Sequence, residues 1–148
     1  MYKTKAVFFD LDGTLVDSAP DFYEVVNSLR LEAGFDALDH NTIREQVSNG
    51  GVALSCLTWE ISTDHPNIMY YRQKLLDRYT ECLGKHSGLF KGFEPVLKHL
   101  EQHNLPWGIV TNKPRPLAAP LLKNLNIHTE LLICPEDVVN RKPHPEPL

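Results

Sequence analysis

The stretch that decides the fold is VFFDLDGTLVDS, residues 7–18. An apolar run over residues 6–9 predicts a short buried strand, and Asp10 follows it directly. Asp12 comes two residues later, on a turn with Gly13, whose backbone can approach a ligand closely. Two like charges at a strand end repel, and strand ends in open α/β sheets face the ligand crevice. A divalent cation such as Mg²⁺ would compensate the charge and leave room for a phosphate.

The nine residues DLDGTLVDS, 10–18, resemble the first motif of the haloacid dehalogenase-like (HAD) hydrolases, in their phosphatase branch. The resemblance implies that Asp10 is a nucleophile that forms an aspartyl-phosphate and that Asp12 is the general acid and base. It also implies Asp10 and Asp12 as ligands of Mg²⁺, with Gly13 and Thr14 at the substrate. The dehalogenase branch lacks the second acid, so Asp12 favours phosphoryl transfer. The alternative is an exposed turn whose acids cap a helix.

A second polar cluster, Thr111, Asn112 and Lys113, follows the apolar run at 105–110. It resembles the second motif of the family, where a hydroxyl and a neighbouring backbone amide hold the transferring phosphoryl group. A hydroxyl can donate to a phosphoryl oxygen without adding charge. The resemblance therefore implies a catalytic role for Thr111 and substrate contacts for Asn112 and Lys113. The alternative is ordinary turn chemistry.

Lys142, in the KPHP segment at 142–145, resembles the third motif. Its ammonium would offset the charge of Asp10 and of the phosphoryl oxygens. The alternative is a solvated lysine in a Pro-rich tail. The fourth motif of the family, an acidic pair that completes the magnesium shell, does not follow Lys142 in these 148 residues. We therefore expect a C-terminally truncated chain, engineered, proteolysed or encoded as such, with little or no activity by itself.

Helical periodicity fills the roughly 65 residues between the first motif and the next strand, although a crossover needs only one helix. The pattern predicts an all-helical insertion, which in this superfamily resembles a cap over the active site. The predicted domains are an incomplete α/β core at 1–16 and 89–148 and a helical cap at 17–88. The core is expected to be a Rossmann-like, doubly wound parallel sheet. A helical domain with no gating role is the alternative to a cap.

Individual serine, proline, asparagine and glycine residues predict where some of the helices begin or are interrupted. Ser18 is predicted as the N-cap of the first cap helix, and Pro95 as the first residue of a later helix. Pro114, Pro116 and Pro120 are expected to delay the next helix, whose apolar stripe is Leu117, Leu121, Leu122 and Leu125. Asn49 and Gly50 interrupt the cap pattern and are expected to contact the non-phosphate end of the substrate, with a plain turn as the alternative.

The composition indicates a globular protein, with 42% hydrophobic and 23% charged residues. The net charge of −4 and the absence of a basic cluster argue against nucleic-acid binding. The three cysteines are expected to be buried and reduced. No signal peptide and no apolar run of about 20 residues is present, so membrane insertion is not expected and the cytoplasm is the predicted location.

The complete prediction is an Mg²⁺-dependent phosphomonoester hydrolase that acts on a small phosphorylated acid or sugar. The chain looks most like the phosphoglycolate phosphatases. Segments 89–93, 107–114 and 132–135 look closest to a bacterial branch that acts on N-acetylmuramic acid 6-phosphate. The alternatives are a β-phosphoglucomutase-like mutase, which uses the same two acids, and a non-catalytic binding module. Strand 6–9 is expected at a sheet edge, where self-association is a hazard.

Overall fold

The computed structural model describes residues 4–148, which divide into two compact units. One unit contains Gly88–Leu148 together with the described residues up to Asp17, and the other is Ser18–Ser87. The predicted boundaries, between 16 and 17 and between 88 and 89, lie within one residue of this division. Residues 1–3, which the sequence assigns to the core, lie outside the described residues.

The elements follow one another along the chain in an order that separates the two units cleanly. They are β1 (Val7–Phe9), β2 (Val16–Asp17), α1 (Ala19–Glu32), α2 (His40–Val47), α3 (Gly50–Trp59), α4 (Ile68–Cys82), β3 (Gly88–Leu89), α5 (Phe93–Gln102), β4 (Trp107–Val110), α6 (Arg115–Asn124) and β5 (Leu131–Ile133), with a 3₁₀ turn at Pro135–Asp137.

Within residues 4–148, three parallel strands form the main sheet in the order β1-β4-β5. The predicted α/β fold with a parallel sheet is confirmed. The pairings Phe8↔Gly108 and Gly108↔Leu131 place these three residues on one face. A Cβ at Gly108 would lie 2.9 Å from the Leu131 Cβ, so the missing side chain lets β4 and β5 approach. A short antiparallel pair, β2 with β3, was not predicted.

Two proline predictions in the α/β unit are wrong. Pro95 is the third residue of α5, which begins at Phe93 after Gly92. Pro120 lies inside α6 and does not precede it. A proline inside a helix removes one backbone donor and usually disfavours the helix. The buried stripe formed by Leu117, Leu121 and their neighbours stabilises α6 around it.

The helical unit packs α1 to α4 around an apolar core in which the rings of Phe22 and Tyr79 stack at 4.1 Å. Ser18 occupies the N-cap position of α1, but its side chain makes no capping hydrogen bond. Its buried hydroxyl has no hydrogen-bond partner among the described residues. Asp39, by contrast, caps α2 by accepting from the Thr42 backbone N–H at 3.0 Å.

The three cysteines are free thiols. Cys82 and Cys134 are buried, and burial raises the pKa of both thiols. Cys56 is only half-buried, so the expectation of three buried thiols holds for two of them. In the part of the chain that the structure describes, none of the helices combines the length and the apolar character needed to span a bilayer.

Candidate active site

The site lies at the carboxyl ends of β1 and β4. Asp10 follows β1 directly, and Thr111 follows β4. Because Phe9 pairs in parallel with Ile109, the residues that follow these strands emerge at the same edge of the sheet. The Thr111 N–H donates to the Ile133 carbonyl at 2.9 Å, which fixes the Thr111 backbone to β5.

Asp10 is held by Lys142. The Lys142 Nζ donates to Asp10 Oδ1 at 2.6 Å and to the Val110 carbonyl at 2.7 Å. Thr14 Oγ1 lies 3.4 Å from Asp10 Oδ2, a long hydrogen bond. The Asp10 side chain remains 43% exposed, so a substrate could reach its carboxylate.

The turn that carries Asp10 and Asp12 is closed by its own backbone. Val16 N–H donates to the Leu11 carbonyl and Gly13 N–H to the Val16 carbonyl, both at 2.9 Å. Gly13 adopts φ 78°, a left-handed conformation that glycine adopts without strain. Leu11 is fully buried and anchors the turn, so the two carboxylates occupy a fixed loop.

Asp12 is held by Lys113, a pairing that the sequence did not predict. The Lys113 Nζ lies 3.1 Å from Asp12 Oδ1, and the Lys113 side chain is only 7% exposed. The Lys113 backbone N–H also donates to Thr111 Oγ1 at 3.0 Å. The only sequence signal for this contact was the spacing of Thr111 and Lys113, since residues two apart after a strand can turn toward the same side.

The segment that carries Lys142 is braced by two further residues. The Asn112 Nδ2 donates to the Lys142 carbonyl at 2.9 Å, so Asn112 orients this segment. The Glu146 carboxylate accepts from the backbone N–H groups of Val139 and Asn140 at 2.7 and 2.9 Å. The bond from Val139 in particular holds the pKa of Glu146 below its ordinary value. Sequence reasoning missed Glu146 because nothing local marks a carboxylate that braces a loop.

The structure therefore brings six of the predicted site residues to one end of the sheet through the contacts above: Asp10, Asp12, Thr14, Thr111, Lys113 and Lys142. Gly13 shapes the turn that carries the two aspartates, and Asn112 orients the segment that carries Lys142. Asn49 and Gly50 belong to the helical unit, where Asn49 Nδ2 donates to Gln46 and Gly50 is the first residue of α3. A substrate contact for these two stays a prediction.

No group of three or more His, Cys, Asp or Glu side chains is arranged to hold a metal ion within residues 4–148. The rings of His99 and His103, which have the spacing of a zinc pair, lie 4.0 Å apart at an angle of 31°, and both residues are exposed at the end of α5.

Comparison with known proteins identifies relatives of the whole chain. The family model described as haloacid dehalogenase-like hydrolase matches residues 7–148. The N-acetylmuramic acid 6-phosphate phosphatase of Pseudomonas putida is 40% identical over 148 residues, 99% of this chain and 66% of that protein. The phosphoglycolate phosphatase of Xanthomonas campestris is 40% identical over 146 residues, 97% of this chain and 66% of that protein. The chain thus spans about two thirds of the length of these curated relatives.

Solved structures agree with the fold. The crystal structure of a "predicted phosphoglycolate phosphatase" from Haemophilus somnus matches with a TM-score of 0.79 at 27% identity, over 98% of this chain and 68% of that one. A HAD-superfamily hydrolase from Geobacter sulfurreducens matches with a TM-score of 0.73 at 20% identity, over 97% of this chain and 68% of that one. The second likeness shows the fold alone. The family resemblance seen in the sequence is confirmed.

Proposed function

The chain belongs to the haloacid dehalogenase-like hydrolases, and we propose that the protein is a phosphomonoester hydrolase that works through an aspartyl-phosphate. The observation that carries the proposal is the meeting of Asp10, Asp12 and Thr111 at one end of the sheet, with a lysine ammonium on each carboxylate. The phosphatase names of the relatives support the reaction class.

In the first step, Asp10 attacks phosphorus. Its Oδ1 is engaged by Lys142, so Oδ2 is the oxygen that forms the bond to phosphorus. The ester P–O bond breaks, and the leaving alkoxide takes a proton from the Asp12 carboxyl group. Thr111 donates its hydroxyl proton to a phosphoryl oxygen, since its own oxygen already accepts from the Lys113 N–H.

In the second step, water displaces the protein from phosphorus. The Asp12 carboxylate takes a proton from the water as the new O–P bond forms. The bond between phosphorus and Asp10 breaks, which releases inorganic phosphate and restores the Asp10 carboxylate to Lys142. Asp12 ends the cycle protonated, ready for the next alcohol.

The charges of the site fit an additional cation. With Asp12 protonated for the first step, Asp10 and a dianionic phosphate monoester carry three negative charges, against the two positive charges of Lys113 and Lys142. Asp10, through its carboxylate, and Asp12, through its backbone carbonyl, would hold Mg²⁺, and the ion would withdraw charge from the phosphoryl group. Because residues 4–148 provide two carboxylates and no larger acidic cluster, we expect the 148-residue chain by itself to turn over slowly.

The substrate class that the relatives support is a small phosphorylated acid, either 2-phosphoglycolate or N-acetylmuramic acid 6-phosphate. Comparing initial rates on the two esters decides between them. A cytoplasmic location, expected from the sequence, stays a prediction.

The test is release of phosphate from p-nitrophenyl phosphate and from both acids with Mg²⁺ present, over incubations long enough for a slow catalyst. Asp10→Asn should abolish release, whereas Asp36→Asn, an exposed aspartate of the helical unit, should not change it. Acid-quenched wild-type protein should carry one phosphoryl group by intact mass, and Asp10→Asn should carry none. Release that survives Asp10→Asn, or that survives removal of divalent ions with EDTA, would contradict the proposal.

A further inference from the structure

Lys113 touches two groups to which the proposed reaction gives different roles. Its ammonium lies 3.1 Å from Asp12 Oδ1, and its backbone N–H donates to Thr111 Oγ1 at 3.0 Å. The residue is 9% exposed; its contact to Thr111 is buried, and its contact to Asp12 is part-buried. A single residue therefore connects the proposed acid–base group to the proposed phosphoryl-binding hydroxyl.

We infer that Lys113 is a positioning residue that aligns Asp12 for proton transfer to the leaving group, an inference that rests on the proposed function. The ammonium engages Oδ1, which fixes the plane of the carboxyl group and leaves Oδ2 to exchange a proton with the substrate. The buried stem of Lys113 restricts the motion of its ammonium. The alignment of Asp12 is thereby set by a neighbouring strand end and not by its own turn alone.

The sequence prediction gave Lys113 a different role, that of a substrate contact. A lysine that binds substrate needs its ammonium open to the ligand, but this side chain is only 7% exposed and is already engaged with Asp12. The backbone contact to Thr111 also favours a positioning role, because it fixes the hydroxyl oxygen as an acceptor and leaves its proton for the phosphoryl group. Burial and both contacts therefore favour a positioning role over direct binding.

The two roles predict different effects on the rate when Lys113 is removed, and the difference depends on the leaving group of the substrate. A p-nitrophenolate ion departs without protonation, whereas an alkoxide needs a general acid. If Lys113 acts through Asp12, its removal slows hydrolysis of an alkyl phosphate and spares the aryl ester. If Lys113 binds substrate, its removal raises KM and leaves kcat close to its original value.

The experiment compares kcat and KM for 2-phosphoglycolate and p-nitrophenyl phosphate in the wild type, Lys113→Met and Lys113→Arg. Lys123→Met, an exposed lysine of α6, is the matched control. We expect Lys113→Met to lower kcat on the alkyl ester by about tenfold or more beyond its effect on the aryl ester, within the range of general acid catalysis. Lys113→Arg retains the charge and should recover part of this loss even if Lys113→Met folds poorly.

A second readout does not require turnover. In protein labelled with ¹³C-aspartate, Lys113→Met should shift the Asp12 carboxyl resonance, and Lys123→Met should leave it unchanged. Equal kcat losses on both esters, a change in KM alone, or an unmoved Asp12 resonance would each overturn the inference. If the wild type hydrolyses neither ester, the Asp12 resonance alone decides whether Lys113 holds this carboxyl group, and the mass of the phosphoryl group on Asp10 tests the proposed function separately.

Discussion

Asp21 is the residue at which the helical unit can be perturbed most sharply. Its side chain is fully buried near the start of α1, and it accepts three hydrogen bonds from the segment that follows α4. The backbone N–H of Gly84 donates to Oδ2 at 2.8 Å, and that of His86 donates to Oδ1 at 2.7 Å. The Ser87 hydroxyl also donates to Oδ2. One carboxylate thus ties the first and last segments of this unit together.

Asp21→Asn keeps the shape of the side chain and removes half of its acceptors. The amide NH₂ must face at least one backbone N–H, which leaves a part-buried donor without its partner. A hydrogen bond to a charged group contributes about 1.5–3 kcal/mol, and an unsatisfied buried donor costs about 1–3 kcal/mol. Because these donors are only part-buried, we expect Asp21→Asn to lower the free energy of unfolding by about 2–4 kcal/mol. Ser87→Ala removes one donor and leaves the carboxylate satisfied, so it should cost about 1 kcal/mol.

The assay is urea unfolding followed by far-ultraviolet circular dichroism, combined with amide hydrogen exchange. Exchange at Gly84 and His86 should accelerate in Asp21→Asn, because these amides lose their acceptor or its charge. Asp36→Asn is the matched control, since it makes the same chemical change at an exposed aspartate of the same unit.

The reasoning is refuted if Asp21→Asn costs less than about 1 kcal/mol, the value of a single ordinary hydrogen bond. It is also refuted if the amides of Gly84 and His86 exchange at wild-type rates, because the acceptor of their hydrogen bonds would then not be this carboxylate.

Two further predictions concern the main sheet. Gly108→Ala should lower the free energy of unfolding in urea by about 1–3 kcal/mol, because the new Cβ meets the Leu131 backbone oxygen at 3.0 Å. Gly88→Ala is the control: its new Cβ meets nothing within 4 Å, so the change should be nearly neutral. Phe8 is 42% exposed on edge strand β1, so Phe8→Lys should reduce self-association in analytical ultracentrifugation. Leu31→Lys adds the same charge on α1 and should leave self-association unchanged. Equal association of the wild type, Phe8→Lys and Leu31→Lys would show that the β1 edge is not the contact.

The sequence predicted the position of those site residues that directly follow an apolar strand. Asp10 and Thr111 could be assigned because each follows an apolar run, and parallel strands deliver their carboxyl ends to one edge. The Asp10–Lys142 pairing followed from the family motif and from charge. The Asp12–Lys113 contact could not be predicted, because it depends on where a side chain turns after the strand, and residue order does not determine that.

The fold was predicted less well where packing overrides local propensity. Pro120 normally marks a helix boundary, yet the apolar contacts of Leu117 and Leu121 stabilise a helix on both sides of it. The two-residue strands β2 and β3 carry too few side chains for a periodic pattern, so only their pairing reveals them. Ser18 shows the opposite case: a good N-cap residue is in the right place, but its hydroxyl makes no capping hydrogen bond.

The strand ends link the stability of the sheet to the geometry of the proposed catalytic groups. The last residues of a parallel ladder leave backbone groups without a strand partner, and buried groups of this kind must be paired. Here the Val110 carbonyl accepts from Lys142, whereas the Thr111 N–H is still paired with the Ile133 carbonyl of β5. The lysine that holds Asp10 therefore also donates a hydrogen bond to the last carbonyl of β4. A change that shifts β4 against β5 should therefore misplace Lys142 and Thr111 together, so Gly108→Ala should reduce phosphate release by the native fraction as well as stability.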